Sequence, residues 1–147
     1  MSDIIESYNE LSKIKTIGVA ILLNIILSIV EIILLIHVFS FDVIVKLLGI
    51  QMSIVSIVLA SKIRKNKHIY IITSFTYEEA KEMTPENRNK IALKIYKTIA
   101  VPMTFIFIYS MMGIVFRTSS ILDISIIICT LFVMGVFVDI SLSKFKK

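Results

Sequence analysis

Four glycines, two prolines, two histidines and one cysteine are all that this 147-residue chain holds of those types, and each shortage closes off some chemistry. One thiol, Cys129, forms no internal disulfide and supplies no zinc ligand set. It falls inside an apolar run and reads as a small buried hydrophobe. The two histidines, His37 and His68, stand at opposite boundaries of apolar blocks, so they share no metal and read as interfacial. Four glycines form neither a phosphate-cradling loop nor a Gly-x-x-x-Gly helix-pairing motif. Serines are numerous, but no histidine is placed to activate one and no nucleophile elbow occurs. The expectation is a protein that is not an enzyme and holds no cofactor.

Charge is also scarce, at 18% of residues against 56% hydrophobic, where a soluble domain carries about 25% charged. The mean hydropathy is +0.89. The apolar excess lies in four blocks that are apolar on every face, whereas a soluble helix or strand is apolar on one. A formal charge of +5 would suggest nucleic acid if it formed a surface patch. Instead the cations flank the apolar blocks, where positive charge sets membrane orientation, so nucleic acid is not an expected partner. The start, Met1-Ser2-Asp3, is acidic, with no basic segment and short apolar run after it, so no removable signal peptide is expected.

A helix crosses about 30 Å of hydrocarbon in roughly 20 residues. The four blocks predict spans over 17–38, 43–61, 99–116 and 121–142. Short links, Phe39–Asp42 and Arg117–Ser120, make two antiparallel hairpins joined by a loop over 62–98. The expected fold class is therefore an all-α membrane protein of four spans. Fourteen lysines and arginines fall on one side, against Lys46 and Arg117 on the other. That bias predicts both termini and the long loop in the cytoplasm, in a plasma membrane, with an isoleucine- and lysine-rich composition that suggests a bacterial source.

Residues 1–16, with Ile4, Tyr8, Leu11 and Ile14 at helical spacing, read as an amphipathic cytoplasmic segment. The tail at 143–147 is basic. In the loop, Ile69-Tyr70-Ile71-Ile72 is too short to cross and is expected at the interface or against the bundle. Thr76-Tyr77-Glu78-Glu79 has capping-box spacing. Thr84-Pro85-Glu86 repeats a helix start, and this second helix is expected to run through Lys97 into span three. Arg88, Lys90, Lys94 and Lys97 are a candidate cytoplasmic docking surface, Lys90, Lys94 and Lys97 sharing one face. Pro102, one turn inside span three, removes one backbone bond.

Polar residues at membrane depth carry the most information, because an unpaired charge there costs several kcal/mol. Asn24, Ser28 and Glu31 share a face of span one. Lys46, Gly49, Ser53, Ser56 and Ala60 form a stripe on span two, and small or hydroxyl side chains mark close helix contacts. The expectation is a first hairpin zipped along these stripes, with a Glu31–Lys46 contact. Arg117 and Asp123 are expected in the headgroup zone, and Asp139 near the inner end of span four.

Four spans with one carboxylate in the first resemble, in outline, the small multidrug resistance transporters. That resemblance implies a self-associating transporter or channel using Glu31. Two features depart from it: a loop of more than thirty residues between spans two and three, and no glycine-rich face in span four. The leading expectation is a binding or accessory role, as in bacteriocin-immunity proteins or small transporter subunits, with the lipid bilayer and a membrane-protein partner or a second copy of the chain as its contacts. A phage-type pore former with a basic tail is the third.

Overall fold

A backbone N–H in hydrocarbon finds no water, so an apolar run of span length closes its hydrogen bonds within itself as a helix. The computed structural model of the chain obeys that rule. It describes the backbone of residues 10–37, 40–71 and 75–143, with the side chains of all but 10–13, 34–37, 139 and 141–143. Five α-helices lie within them: α1 (Glu10–His37), α2 (Phe41–Asn66), α3 (Tyr77–Glu82), α4 (Pro85–Phe116) and α5 (Ser120–Ser143). A 3-10 turn, Ile69–Ile71, sits between α2 and α3. No strand occurs among the described residues, and four helices, all but α3, are long and apolar enough to cross a membrane. Ile4, Tyr8, Ile72 and the lysines of the basic tail lie outside the described residues, as do the side chains of His37 and Asp139.

Local chemistry explains the helix ends. Thr76 and Glu79 form a reciprocal capping box at α3, the Thr76 hydroxyl accepting from the Glu79 N–H and the Glu79 carboxylate from the Thr76 N–H. Thr84 accepts from the Asn87 N–H at 3.4 Å, with Pro85 in the first turn where its missing donor costs nothing. From there α4 continues unbroken through Pro102 to Phe116. Both α2 and α4 end on non-glycine residues in the left-handed region, Lys67 at φ 57° and Arg117 at φ 53°, a conformation that costs an ordinary side chain about 1–2 kcal/mol.

The broadest helix contact joins α2 to α4, not the sequence neighbours α1 and α2. The two run antiparallel: Gly49 meets Ser110, Lys46 lies against Gly113, and Arg64 lies over Tyr96. The close approach depends on the two glycines. A Cβ on Gly49 would collide with the Ser110 hydroxyl, and one on Gly113 would stand 2.8 Å from Thr118 Oγ1 and 3.1 Å from Lys46 Cε. Helix α1 packs on α2, while α5 packs on α4 and touches α2.

At the end of the α2–α4 pair away from Lys46, the loop folds onto the helices. Ile69, Tyr70, Phe75 and Ala80 join Ile91, Ile95, Ile99, Met103 and Ile106 in one buried cluster. His68 is completely buried within the protein (0% exposed). The chain reverses tightly at Lys67 and carries the imidazole inward, 5.6 Å from the Tyr70 ring. Tyr70 meets Tyr77 edge-on at 5.3 Å, a favourable aromatic geometry.

Much of the remaining apolar surface is bare. Ile21, Leu22, Ile25, Ile29 and Ile32 of α1, and Ile121, Phe132 and Phe137 of α5, are exposed. In water such patches would drive aggregation; in a bilayer they are ordinary solvent contact. Cys129 is exposed as well, correcting the expectation that it packs inside the protein. Helix α5 touches its neighbours along a narrow seam, and Cys129 lies off it.

Candidate polar sites within the spans

Two polar assemblies lie inside the helices, and they divide the expected intramembrane site between them. The first is built around Lys46 and Asp123, each only 1% exposed. Lys46 Nζ stands 2.8 Å from Asp123 Oδ2. It also donates to the carbonyls of Thr118 at 2.7 Å and Asp42 at 3.0 Å. The ammonium therefore has two backbone acceptors beside its ion-pair partner, and Asp123 Oδ2 meets it as an ion pair without a hydrogen bond of its own among the described residues. The other carboxylate oxygen, Asp123 Oδ1, accepts from Tyr109 Oη at 2.8 Å and Thr118 Oγ1 at 2.6 Å. These hydrogen bonds offset part of the desolvation of two buried charges, which Coulomb attraction alone often fails to do.

Asp42 extends the assembly to the surface. Its carboxylate accepts from the Ser120 N–H at 3.2 Å and from the Ser120 hydroxyl. Ser120 opens α5, so Asp42 satisfies an otherwise orphaned donor there and places a negative charge at the positive end of that helix. Beside these residues is a cavity of about 420 Å³ lined by Ser40, Asp42, Val43, Lys46, Gly113, Ile114, Arg117 and Thr118.

The second assembly joins α1 to α2. Gln51, 4% exposed, donates through Nε2 to Asn24, at both its carbonyl (3.1 Å) and its side-chain oxygen, and to Ser28 Oγ at 2.8 Å. A second link, Asn66 Nδ2 to Thr16 Oγ1 at 3.1 Å, ties the other end of the pair. Among the described residues Gln51 Oε1 has no hydrogen-bond partner.

The expected Glu31–Lys46 contact does not form. Lys46 and Gln51 are five positions apart, about 140° around the helix, and it is the Gln51 side of α2 that faces α1. The stripe of Lys46, Gly49, Ser53 and Ala60 is buried, but Lys46 and Gly49 face α4 and α5 rather than span one. Ser53 Oγ donates to its own helix at the Gly49 carbonyl, 2.8 Å away, and Ser56 is half-buried. Three residues beyond Ser28, Glu31 comes level with Leu48 in the same register. It is half-buried, and none of the described residues pairs with it.

Two things were not expected from the sequence: Gln51 as the link to α1, and Asp123 as the buried partner of Lys46. A signal existed for both. Asn24 and Ser28 present a polar pair to α2, and Gln51 is the one amide in the core of that span. Asp123 sits in the first turn of α5, five residues after Thr118, at the same end as Lys46.

The candidate docking surface is less uniform than its sequence spacing suggests. Arg88 is 8% exposed and turns into the loop cluster side of α4, so it leaves the expected surface. Lys90 is exposed and pairs with Glu86 at 2.7 Å, an i,i+4 contact worth little in water. Lys94 is half-buried, and Lys97 is exposed at the edge of a groove between α4 and α5. No group of three metal-ligating side chains occurs among the described residues. Comparison of the chain with protein-family models, curated proteins and solved structures finds no match.

Proposed function

We propose that the chain is a binding or accessory subunit of a membrane complex, with α1 as the docking helix. Glu31 carries this reading. It is a carboxylate at membrane depth on a helix whose apolar side chains are largely exposed, and the nearest intramembrane cation, Lys46, is committed to Asp123. An unmet charge in a span costs roughly 2.5–3.5 kcal/mol or more. A cation or hydrogen-bond donor on a neighbouring membrane helix would remove that cost and fix the docking register.

The proposal includes the arrangement in the membrane: two antiparallel hairpins, both termini and the 62–98 loop in the cytoplasm, in a bacterial plasma membrane. The distribution of lysine and arginine supports it. Reporter tags at Asp42 and Ser119 should be reachable from outside intact cells, and a tag at Lys81 should not. For the docking role, a photo-crosslinker at Ile32 in native membranes should give one discrete protein adduct that disappears with Glu31→Gln. A partner-free, monodisperse protein with no adduct at Ile32 contradicts it.

A second reading, a small self-associating transporter, draws on the cavity of about 420 Å³ at the Lys46 end. Glu31 would then exchange a proton during transport. Proton-driven flux in vesicles that vanishes in Glu31→Gln would favour this reading over the first.

A further inference from the structure

Where α2 and α4 leave the apolar zone, at the end away from Lys46, a pocket of about 250 Å³ opens between them, lined by Ser61, Arg64, Lys65, Asn89 and Tyr96. The lining follows from helix periodicity. Ser61, Arg64 and Lys65 are spaced i, i+3, i+4, and Asn89 and Tyr96 i, i+7, so each set shares a face and the two faces oppose. Two cations line it and no carboxylate does. The nearest acid along α4, Glu86, is engaged with Lys90.

Arg64 is held rather than loose. Its guanidinium carbon lies 5.0 Å from the centroid of the Tyr96 ring, a cation–π contact that orients the planar fork. A guanidinium so placed matches two oxygens of one phosphate, and a lysine adds a mobile point charge. Ser61, Asn89 and Tyr96 bring hydroxyl and amide donors to the same pocket. Every lining residue can therefore offer a proton to an anion. Arg64 and Lys65 also occupy the last turn of α2, where cations are favoured by the helix dipole and offset its negative end.

We infer that this pocket binds the phosphate of an anionic phospholipid headgroup. Depth favours a lipid over a dissolved anion. Val58, Leu59 and Ala60 lie immediately before the pocket on α2, and on α4 the last cation, Lys97, directly follows Tyr96 before the apolar run that begins at Ile99. The pocket thus stands where apolar span gives way to charged surface, which is where a bilayer places its phosphates. Basic pockets between helices at that level suit anionic headgroups. Such a site requires α2 and α4 to cross the membrane and does not depend on what meets Glu31.

The test uses the full-length protein in detergent with phosphatidylglycerol or phosphatidylcholine titrated in, bound lipids being counted by native mass spectrometry. The wild type should retain one phosphatidylglycerol in preference to phosphatidylcholine. Arg64→Gln combined with Lys65→Gln should weaken that binding by about tenfold or more, and Lys81→Gln, an exposed cation of α3 outside the pocket, should leave it unchanged. Tyr96→Phe keeps the ring under Arg64 and should weaken binding by only a few-fold. Should the double variant melt early, the single exposed reversal Lys65→Glu replaces it, with the same loss expected. Equal retention by wild type and these variants overturns the site. Displacement of the lipid by an equal concentration of inorganic phosphate overturns the lipid as its ligand.

Discussion

Lys46 on α2 and Asp123 on α5 form a buried ion pair, 2.8 Å apart, and the ammonium also donates to the carbonyls of Asp42 and Thr118. The pair links α2 to the first turn of α5 and, through Tyr109 and Thr118, to α4 and the link that follows it. Removing one partner strands a charge. Lys46→Met should therefore cost about 3–5 kcal/mol, read as a lowered Tm in mild detergent. Adding Asp123→Leu to that variant should recover much of the loss. A double variant no more stable than the single would show that Asp123 is not what Lys46 neutralises.

Two glycines of the same composition should respond oppositely to alanine. At Gly113 a Cβ would press on Thr118 Oγ1 at 2.8 Å and Lys46 Cε at 3.1 Å. Gly113→Ala should destabilise by about 1–3 kcal/mol, with part of the effect absent in a Lys46→Met background. Gly135 meets nothing within 4 Å, so Gly135→Ala should be neutral or stabilising by up to about 1 kcal/mol through helix propensity. Melting curves of the two variants decide it.

These contrasts show which parts of the structure a sequence reading reaches. Span number, helical class and the caps at Thr76 and Thr84 were legible, because span length and capping chemistry are local properties. Partner choice was not. The spacing of Lys46, Gly49 and Ser53 identified a packing face, yet periodicity does not say which neighbour that face meets. Short links suggested that α1 and α2 would share it; instead it turned to α4 and α5, and Gln51 took over the contact with Asn24 and Ser28. Asp123 stands three residues from the start of α5, and the sequence does not reveal that its partner is a lysine 77 positions earlier in the chain. Arg88 misled for a related reason: the loop is a folded layer of the protein, which charge patterning alone does not disclose.

Gln51 should control how firmly α1 is attached. Gln51→Leu removes the donor to Asn24 and Ser28, and interhelical hydrogen bonds in membranes contribute about 0.6–1.7 kcal/mol. In a Cys129→Ser background, cysteines placed at Thr16 and Asn66 should be joined by a short bifunctional thiol reagent, since Asn66 Nδ2 and Thr16 Oγ1 are 3.1 Å apart. The Leu substitution should slow that cross-link measurably without lowering helix content. An unchanged rate would assign the α1–α2 contact to apolar packing alone.

Arg117 closes α4 at φ 53°, its N–H bonded to the Gly113 carbonyl. Only glycine occupies that region without a steric penalty. Arg117→Gly should raise stability by up to about 1 kcal/mol, the relief of the Cβ clash being partly offset by the looser unfolded chain. Arg117→Val, β-branched at the same position, should lower it. If both variants melt at the wild-type temperature, the left-handed cap is not a determinant of the fold.

Cys129 offers a direct reading of what surrounds α5. It lies nine residues into that helix, roughly 13 Å along the axis at 1.5 Å per residue, close to the middle of a hydrocarbon layer about 30 Å thick. Its thiol is exposed, so the protein itself offers no shield. A thiol reacts through its thiolate, which needs water that hydrocarbon does not hold. In intact membranes a charged maleimide should leave Cys129 unmodified, while denaturation in detergent should make it fully reactive. A cysteine placed at Ser119, at the end of the span, should react with the charged reagent throughout. Rapid labelling of Cys129 by that reagent in the bilayer would mean that water reaches this face of α5, and that its bare phenylalanines and isoleucines do not face lipid.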